Sequence, residues 1–500
     1  MKKIIFTIFF IVLVFKFIVQ AQLLLPKPIS GLQTYIPDKT CSGYTLITPL
    51  TVNNKNNQRI KLLDMNGNVV KTFNILGMPA KMLPGGYLLG RANLFGNNMQ
   101  ESKTILEVDW NGNVIWSFDH WLLGLDGIWY SRQHHDYERE GFPTGYYSPY
   151  VKPEPLKGHT LVLAWENISF PRITDKELLD CVIYEVDEKG SLISKEQGGF
   201  FWRATEHFDE FGFDDNAIKA LKNTAKNYKA YDWFHMNTLT LLGENKWYDK
   251  GDKRFNPKNI IISSRGANII AIIDRVTGKI VWKVGPNFKE KPFNKLGQII
   301  GQHHTHMIQK GLPGAGNILL FDNGGGAGYG HLLNQKILPT IANNEFRFYS
   351  RILEFDPITY DIKWKYIDTK GFIVPLSGDN HLFFSFYISS AQRLPNGNTL
   401  IDEGALGRIF EVTPDKQVVW EYISPYLSSF NKKAQNYNLQ YGIGKQVDQQ
   451  ATGPLINVIN PVYRAYRIPP KWLKDTNGNM LKGDNGKPLV DYEKINNNCW

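Results

Sequence analysis

Short apolar stretches separated by turns recur along the chain at a regular spacing. The repeated unit is an apolar strand, a turn of the Leu-Pro-x-Gly kind, a second strand, a segment like Ile-x-Glu-x-Asp, a glycine turn, and an apolar strand that often ends in Trp. The clearest copy runs from Ser390 to Tyr422. The other copies lie at residues 44–70, 80–116, 134–193, 235–282 and 303–364. Each copy predicts about four short strands.

A series of four-stranded units predicts the fold class. About four strands for every ~40 to 50 residues, repeated along a chain, is typical of a β-propeller. One blade cannot bury both of its faces, so the blades stack around an axis. The six copies predict an all-β protein, a six-bladed β-propeller with long inter-strand insertions. The Trp that closes several copies is expected to pack as an apolar wedge between blades.

The repeats also divide the chain. The propeller is expected to span residues 22–426, and one of its insertions, Asp214 to Asn227, is predicted to be a helix because acidic residues open it. Residues 427–500 contain no repeat and are rich in turns. They are expected to form a C-terminal extension that wraps and packs on the propeller and contributes one closing strand at most.

Residues 1–21 are predicted to be a signal peptide. Lys2 and Lys3 begin it, Ile4 to Phe15 is its apolar segment, and Val19-Gln20-Ala21 is a small-residue cleavage site. The protein is therefore expected to be exported, either to the periplasm or to the medium. No later segment is apolar for long enough to span a bilayer, so no membrane span is expected after signal cleavage.

Composition agrees with a folded β-rich protein. Aromatic residues make up 13% of the chain, and its 44 Gly and 26 Pro favour strands and turns. The formal charge is +10, but no stripe of Lys and Arg with interleaved aromatics occurs, so no nucleic-acid partner is expected. Export permits a disulfide, and the three cysteines, Cys41, Cys181 and Cys499, leave at least one unpaired within the chain.

One stretch concentrates imidazole side chains. Residues 302–325 read QHHTHMIQKGLPGAGNILLFDNGG and predict a strand, a turn, a second strand and a loop. His304 and His306 are two positions apart, so on a strand they share one face, whereas His303 points to the other. Such a concentration of imidazole beside a glycine-rich loop suggests a chemical function.

Aligning the copies at their first strand brings further histidines into register. His134, His235 and His304 then occupy like positions in three consecutive copies. The innermost strand of a blade lines the central channel, so these three side chains are expected to converge at one end of the axis. Imidazoles there can act as nucleophiles or acids and bases, bind a metal, or hold an anion when protonated. The residues alone leave these uses open.

Longer strings carry a resemblance to a known family. They are Asp232-Trp233-Phe234-His235-Met236-Asn237, Gln302-His303, Phe321-Asp322-Asn323-Gly324, the segment Gln392 to Ile401, and the segment Asn460 to Arg467. In this order they resemble the PAPS-independent arylsulfate sulfotransferases, a family of periplasmic six-bladed propellers. The resemblance covers residues 31–467, which is nearly the whole mature chain.

The resemblance implies an enzyme that transfers sulfuryl groups by a ping-pong mechanism. A histidine attacks the sulfur of an aryl sulfate, the phenol leaves, and the sulfohistidine passes its sulfuryl group to another phenol. The catalytic residues implied are His235, His303, His304 and His381. In the family the nucleophilic histidine lies downstream of the second one, so the resemblance makes His381 a candidate for the nucleophile. The substrate-binding residues implied are His134, His306, Asn237, Asn323, Arg265 and Arg351. The two arginines are included because this chain has Gly325-Gly326-Ala327-Gly328 where the family has an arginine.

The implied partners are small-molecule aryl sulfates and phenols. No cofactor is implied; a structural Ca²⁺ is left open, and a transition metal belongs only to an alternative function. In that alternative, His134, His235, His304 and His306 bind iron, copper or zinc in a metal enzyme. A second alternative is a non-catalytic propeller that binds a glycan or a protein. The sequence does not determine the oligomeric state.

Overall fold

The computed structural model describes residues 30–51, 57–92, 101–102, 104–124, 127–142, 145–155, 157–329, 345–347, 349–368, 383–426, 428–429, 458–495 and 499–500. The predicted signal peptide and His381 lie outside these residues. Within them the chain forms antiparallel four-stranded units arranged as six blades. This confirms the predicted all-β propeller, and each blade corresponds to one of the sequence copies.

The strands of each blade are given from the innermost outward. Blade one contains Val462–Ile468, Tyr44–Pro49, Arg59–Leu63 and the first part of Val69–Leu83. Blade two contains the last part of Val69–Leu83, then Tyr87–Arg91, Thr104–Val108 and Val114–Asp119. Blade three contains Gln133–Arg139, Thr160–Phe170, Thr174–Val186 and Phe201–Arg203.

The second half of the ring is built in the same way. Blade four contains Met236–Leu241, Ile260–Ser264, Ile269–Ile273 and Ile280–Val284. Blade five contains His303–Met307, Ile318–Asp322, Arg351–Phe355 and Ile362–Tyr366. Blade six contains Ser390–Arg393, Thr399–Glu403, Arg408–Val412 and Val418–Ile423, with Gly31–Tyr35 paired outside the last of these.

Hydrophobic patterning explains why these segments form strands at these positions in a blade. The two middle strands of blade four, Ile260–Ser264 and Ile269–Ile273, are continuous apolar or small runs and are buried throughout. Such runs suit strands that are covered on both faces. The outermost strand of blade five, Ile362–Tyr366, alternates between more and less exposed residues, as expected for a strand with one face toward solvent.

Tryptophans on the outermost strands of blades two to six join each of these blades to the next one. Each indole Nε1 donates a hydrogen bond to a turn carbonyl of the following blade: Trp116 to Asp187, Trp202 to Gly278, Trp282 to Pro357, Trp364 to Pro414 and Trp420 to Met65. The last of these contacts connects blade six to blade one. The predicted wedges between blades are therefore present, and their polar edges are also satisfied.

Both ends of the chain close the ring. The innermost strand of blade one, Val462–Ile468, comes from the predicted extension and pairs antiparallel with Tyr44–Pro49. This is the closing strand that the sequence allowed. The Cys41–Cys499 disulfide adds a covalent closure between positions 458 residues apart, and Cys181 is buried as a free thiol.

The remaining elements are short. The helices are α1 (Asp215–Ala225), α2 (Lys246–Asp249) and α3 (Tyr492–Ile495). The predicted helix is α1, which is capped by the side chain of Asp214. The 3₁₀ turns are Pro37–Lys39, Pro84–Gly86, Lys195–Gln197, Ala204–His207, Lys253–Phe255, Phe293–Leu296, Gly404–Leu406 and Pro470–Leu473. The short strands are Glu101–Ser102, Leu122–Leu123, Trp129–Tyr130, Ala230–Asp232, Gly325–Ala327, Glu345–Arg347, Ser428–Ser429 and Val458–Ile459. Of the helices in the described ranges, none combines the length and the hydrophobicity that crossing a bilayer requires.

Candidate active site

Three consecutive blades present a histidine in the same unusual backbone conformation. His135, His235 and His304 have φ of 53°, 48° and 50°, in the left-handed region that non-glycine residues rarely adopt. Each lies at the start of an innermost strand, where the connection from the preceding blade enters. Sequence alignment placed His134 in this register, but the structure places His135 there. A left-handed residue shifts the register of a strand locally. Because two histidines are adjacent here, the sequence does not reveal that shift.

His235 is held by a carboxylate on its own loop. Its Nδ1 hydrogen-bonds to Oδ2 of Asp232, and its backbone N–H donates to Oδ1 of the same residue at 3.1 Å. A carboxylate cannot donate, so Nδ1 carries the proton and Nε2 keeps its lone pair. The His235 side chain is 13% exposed, whereas that of Asp232 is 3% exposed. The loop therefore fixes the proton of His235 on Nδ1 and leaves part of the side chain accessible.

Two histidines of blade three lie beside His235. The ring centroids of His135 and His235 are 4.7 Å apart in an edge-to-face arrangement. His134 stacks on Trp165 with centroids 3.8 Å apart. The Nδ1 atoms of His134 and His135 are 2.7 Å apart, so one of these nitrogens donates and the other accepts. The pair therefore fixes opposite proton positions on two adjacent rings.

His303 is oriented by an asparagine from the neighbouring strand of its blade. Its Nδ1 lies 2.8 Å from Oδ1 of Asn323 and 3.0 Å from the carbonyl of Gly301. The Asn323 amide nitrogen donates to the carbonyls of Ser385 and Ile388, which fixes the oxygen toward His303. His303 therefore carries its proton on Nδ1 and presents the Nε2 lone pair. Asn323, predicted to bind substrate, contacts this histidine.

His304 and His306 form a second group on the same strand. Their ring centroids are 4.6 Å apart, and His304 also meets the ring of Tyr466 at 5.5 Å. Nδ1 of His304 lies 2.9 Å from the carbonyl of Ala391, and Nδ1 of His306 lies 2.9 Å from the carbonyl of His304. The predicted strand, turn and strand are present, but the left-handed His304 makes the pairing irregular between His303 and His306, so regular alternation does not describe these three side chains.

Burial keeps these imidazoles neutral. It lowers the pKa of His134, His135, His303 and His304 well below the usual value, and neighbouring positive charges lower each pKa further. Burial also lowers the pKa of His306, to about 4. At neutral pH the rings are therefore hydrogen-bonding groups and bases rather than cations.

A buried ion network crosses the channel and joins three blades. Arg464, from blade one, binds Oδ2 of Asp136 at 3.0 Å and the carbonyl of Asn237 at 2.8 Å. Lys81 lies 3.1 Å from Asp136 Oδ1 and 2.6 Å from Glu138 Oε2. Burial alone would lower the pKa of Lys81, but the charges of Asp136 and Glu138 outweigh it and raise that pKa. The network fixes the innermost strands relative to one another.

The other predicted substrate-binding residues differ in their contacts. The Asn237 amide donates to the carbonyl of Gln302 at 2.7 Å, so it joins blades four and five. Arg351 is engaged by Asp322, with Nε 2.5 Å from Oδ2, and by the carbonyl of Gln298 at 2.9 Å. Arg265 is half-buried, its backbone N–H donates to the carbonyl of His235, and its charge lowers the pKa of His303. Of the two predicted arginines, Arg265 is the one associated with the histidines.

The end of the channel opposite His235 is filled by aromatic side chains. Tyr146 stacks on Tyr466 with centroids 4.1 Å apart, and Trp472 of the C-terminal extension packs against Tyr146 at 5.7 Å. Tyr146 also exchanges hydrogen bonds with the backbone of Met82. The C-terminal Trp500 packs on Tyr147 at 4.8 Å. The extension thus covers this end, whereas His235, near the other end, is the most exposed of the channel histidines described above.

Sequence reasoning missed several residues of this arrangement. Asp232 and Arg464 lie inside the sequence segments that carry the family resemblance. The sequence did not indicate which residues they contact. Asp136 follows the doubled histidine directly, which was a signal that an acidic group accompanies the imidazoles. In the described parts of the chain, no group of three or more His, Cys, Asp or Glu side chains is arranged to hold a metal ion.

A separate cleft lies away from the histidines. It has a volume of about 690 Å³ and is lined by residues of blades three and four, including Glu140, Glu185 and Arg275. Arg275 binds both carboxylates at 2.6 Å. The lining contains none of the predicted site residues, so the cleft is not the candidate active site.

Several solved structures are similar to this chain at low identity. A protein of unknown function from Bacteroides caccae is 11% identical, with 85% of this chain and 98% of that chain covered and a TM-score of 0.39. BamB from Moraxella catarrhalis is 11% identical, with coverages of 76% and 75% and a TM-score of 0.27. The β-propeller domain of Myceliophteria thermophila Cps50 (Swd1) is 8% identical, with coverages of 79% and 90% and a TM-score of 0.36. The fold assignment rests on the sheets themselves.

Sequence comparison adds one positive finding. A search of curated proteins found no match. A protein-family model described as arylsulfotransferase (ASST) matches residues 164–425, which is more than half of the chain. The matched region contains the Asp232–His235 loop, His303 and His304, and Arg265. The chain therefore belongs to the arylsulfotransferase (ASST) family.

Proposed function

We propose that this protein transfers the sulfuryl group of an aryl sulfate to a phenolic acceptor, through a sulfohistidine formed on His235. The observation that carries the proposal is the Asp232–His235 pair at the open end of the channel. Asp232 fixes the proton on Nδ1 and leaves Nε2 as the attacking atom. Access supports the choice of this histidine, because the other channel histidines are at most 3% exposed.

The first half-reaction uses two adjacent imidazoles. The Nε2 lone pair of His235 forms a bond to sulfur, the bond from sulfur to the aryl oxygen breaks, and its electron pair goes to that oxygen. If His134 donates across the 2.7 Å contact, His135 carries its proton on Nε2. The Nε2–H of His135 then donates a hydrogen bond to the departing phenolate, which takes its proton from solvent. The charge that develops on the His235 ring is stabilised by the Asp232 carboxylate.

The second half-reaction reverses these steps with another phenol. The acceptor phenol loses its proton to solvent, its oxygen accepts a hydrogen bond from the Nε2–H of His135 and bonds to sulfur, and the nitrogen–sulfur bond breaks with its electron pair returning to His235. Arg265 is proposed to hold the sulfate oxygens in both steps, because it lies beside the His235 loop and acts on His303. One opening serves both substrates, which suits a ping-pong sequence.

Labelling tests the proposal directly. The intact mass of the protein is measured after brief incubation with a chromogenic aryl sulfate, and the modified residue is mapped on peptides. We expect one sulfuryl group on His235, with a burst of phenol of equal amount, and neither in His235→Gln. His159→Gln is the matched control, because His159 is 43% exposed and pairs with Glu185.

Two results would count against this assignment in different ways. A sulfuryl group on His303, His304 or His381 would keep the reaction and move the nucleophile. No sulfuryl group and no release of phenol by the wild-type protein would refute sulfuryl transfer itself. A rate of phenol release that rises on addition of a second phenol would support transfer over hydrolysis.

Export is proposed as well. Members of the family are typically periplasmic or secreted. The Cys41–Cys499 disulfide suits an oxidising compartment. The predicted signal peptide is outside the described residues, so processing has to be measured. N-terminal sequencing of protein recovered from the extracytoplasmic fraction is expected to begin at Gln22; an intact N-terminus in the cytoplasm would contradict the proposal.

A further inference from the structure

The loop that carries His235 has a strained backbone conformation, which contacts with other segments of the chain must stabilise. A left-handed φ at a histidine is strained and persists only where surrounding contacts hold it. Blade four supplies some of these contacts: Ser264 Oγ and the N–H of Gly266 donate to the carbonyl of Phe234, and the N–H of Arg265 donates to the carbonyl of His235.

Trp233 supplies the other anchor of the loop. It is fully buried, and its indole Nε1 donates to Oδ1 of Asp180 at 2.8 Å. Its carbonyl accepts a hydrogen bond from the hydroxyl of Tyr329. Trp233 immediately follows Asp232, so a shift at its carbonyl moves the carboxylate that orients His235.

Tyr329 reaches this loop from a different blade. It ends a glycine-rich strap, residues 325–329, that leaves blade five after Asp322 and crosses onto blade four. There the N–H of Gly328 donates to the carbonyl of Gly266 at 3.1 Å, and the Asn268 amide donates to the carbonyl of Ala327 at 3.2 Å. Gly328 has φ of 83°, and a Cβ at this position would overlap the Asn268 side chain. The strap therefore packs closely against the turn that contains Gly266 and Asn268, next to the His235 loop.

We propose that Tyr329 is a positioning residue that sets the Asp232–His235 geometry through the carbonyl of Trp233. This inference rests on the proposed function, in which His235 is the nucleophile. The strap occupies the place where the family resemblance led us to expect an arginine for the sulfate. In this chain the segment holds the loop of the neighbouring blade instead.

A matched pair of hydroxyl deletions tests the proposal. The hydroxyl of Tyr231 lies 3.2 Å from that of Tyr329 and gives the control, because Tyr231→Phe leaves the contact from Tyr329 to Trp233 in place. Single-turnover transfer from an aryl sulfate to the enzyme is expected to slow about 10-fold or more in Tyr329→Phe, with the KM for the aryl sulfate within about twofold. Tyr231→Phe is expected to remain within about twofold of the wild type.

A spectroscopic readout separates positioning from general loosening. The proton between Nδ1 of His235 and Asp232 is followed by NMR, and its signal is expected to move or broaden in Tyr329→Phe but not in Tyr231→Phe. Gly328→Ala, which displaces the strap and keeps the Tyr329 hydroxyl, is expected to reproduce both effects. Gly328→Ala also tests the proposal if Tyr329→Phe does not fold.

Wild-type rates and an unchanged NMR signal in Tyr329→Phe would overturn the inference. So would equal losses in both tyrosine variants. If the wild-type protein itself forms no sulfuryl enzyme, the proposed function fails, and the NMR comparison alone then decides whether Tyr329 sets the loop.

Discussion

The rings of His135 and His235 meet at 4.7 Å although they belong to different blades. Burial lowers the pKa of His135 well below its usual value, and the next largest cause is repulsion from the charge that a protonated His235 would carry. Two imidazoles at this distance do not both carry a charge readily. The contact therefore suits chemistry in which one ring is the nucleophile and the other donates a hydrogen bond to the leaving oxygen.

Asp232→Asn is expected to reduce the rate of sulfuryl transfer by about 10²- to 10⁴-fold, with little change in KM. The amide can still accept from the His235 backbone, but its nitrogen would oppose the Nδ1 proton and favour the wrong tautomer. Stopped-flow release of a chromogenic phenol measures the effect. Asp209→Asn, at an exposed pair with Arg172, is the control. Equal rates in Asp232→Asn and the wild type would show that the carboxylate does not orient the nucleophile.

Arg464→Met is expected to lower the free energy of unfolding by about 3–5 kcal/mol, because it leaves Asp136 buried with less compensation. Arg464 is 1% exposed and Asp136 is fully buried. Urea denaturation measures the change, and Arg172→Met, which breaks an exposed pair, is expected to leave the midpoint unchanged. A similar midpoint in both variants would mean that the channel network contributes no more than a surface ion pair.

The stability supplied by His306 is expected to depend on pH. Its pKa is about 4 in the folded protein, against 6.5 when unperturbed. Between these values the unfolded chain takes up a proton that the folded chain does not, so stability is lost as pH falls from 6.5 to 4. This amounts to about 3 kcal/mol for such a shift.

The measurement is the difference in unfolding free energy between the wild type and His306→Gln at several pH values. Using the difference cancels buried carboxyls with the opposite dependence, such as Glu138, whose pKa burial raises to about 7. We expect the advantage of the wild type to shrink as the solution is acidified from pH 6.5 to 4. A difference that is constant with pH would contradict the lowered pKa.

Cys499→Ser is expected to lower the free energy of unfolding by about 2–5 kcal/mol, because the disulfide closes nearly the whole chain. Thermal unfolding with and without a reducing agent measures this. The wild type should lose stability on reduction, whereas the variant should not respond. A variant that still responds to the reducing agent would show that another thiol is involved.

The sequence by itself determined the repeated architecture. Apolar runs at the spacing of short strands identified each blade, and the terminal Trp of copies such as Ser390 to Tyr422 marked the contacts between blades. These features are local, because strand periodicity and turn residues act over a few positions. The string around His235 was also recognisable, as was the helix that begins after Asp214.

Only the tertiary structure decided which side chains form the site. His134 and His135 are adjacent and identical, so the sequence does not show which of them adopts the left-handed conformation. The structure assigns it to His135. Whether an arginine is free for substrate depends on partners distant in the chain: Asp322 engages Arg351, and Asp136 engages Arg464. The strap with Tyr329 supports a loop on another blade. Such contacts arise from stacking blades around an axis, which brings together residues that sequence patterns treat as unrelated.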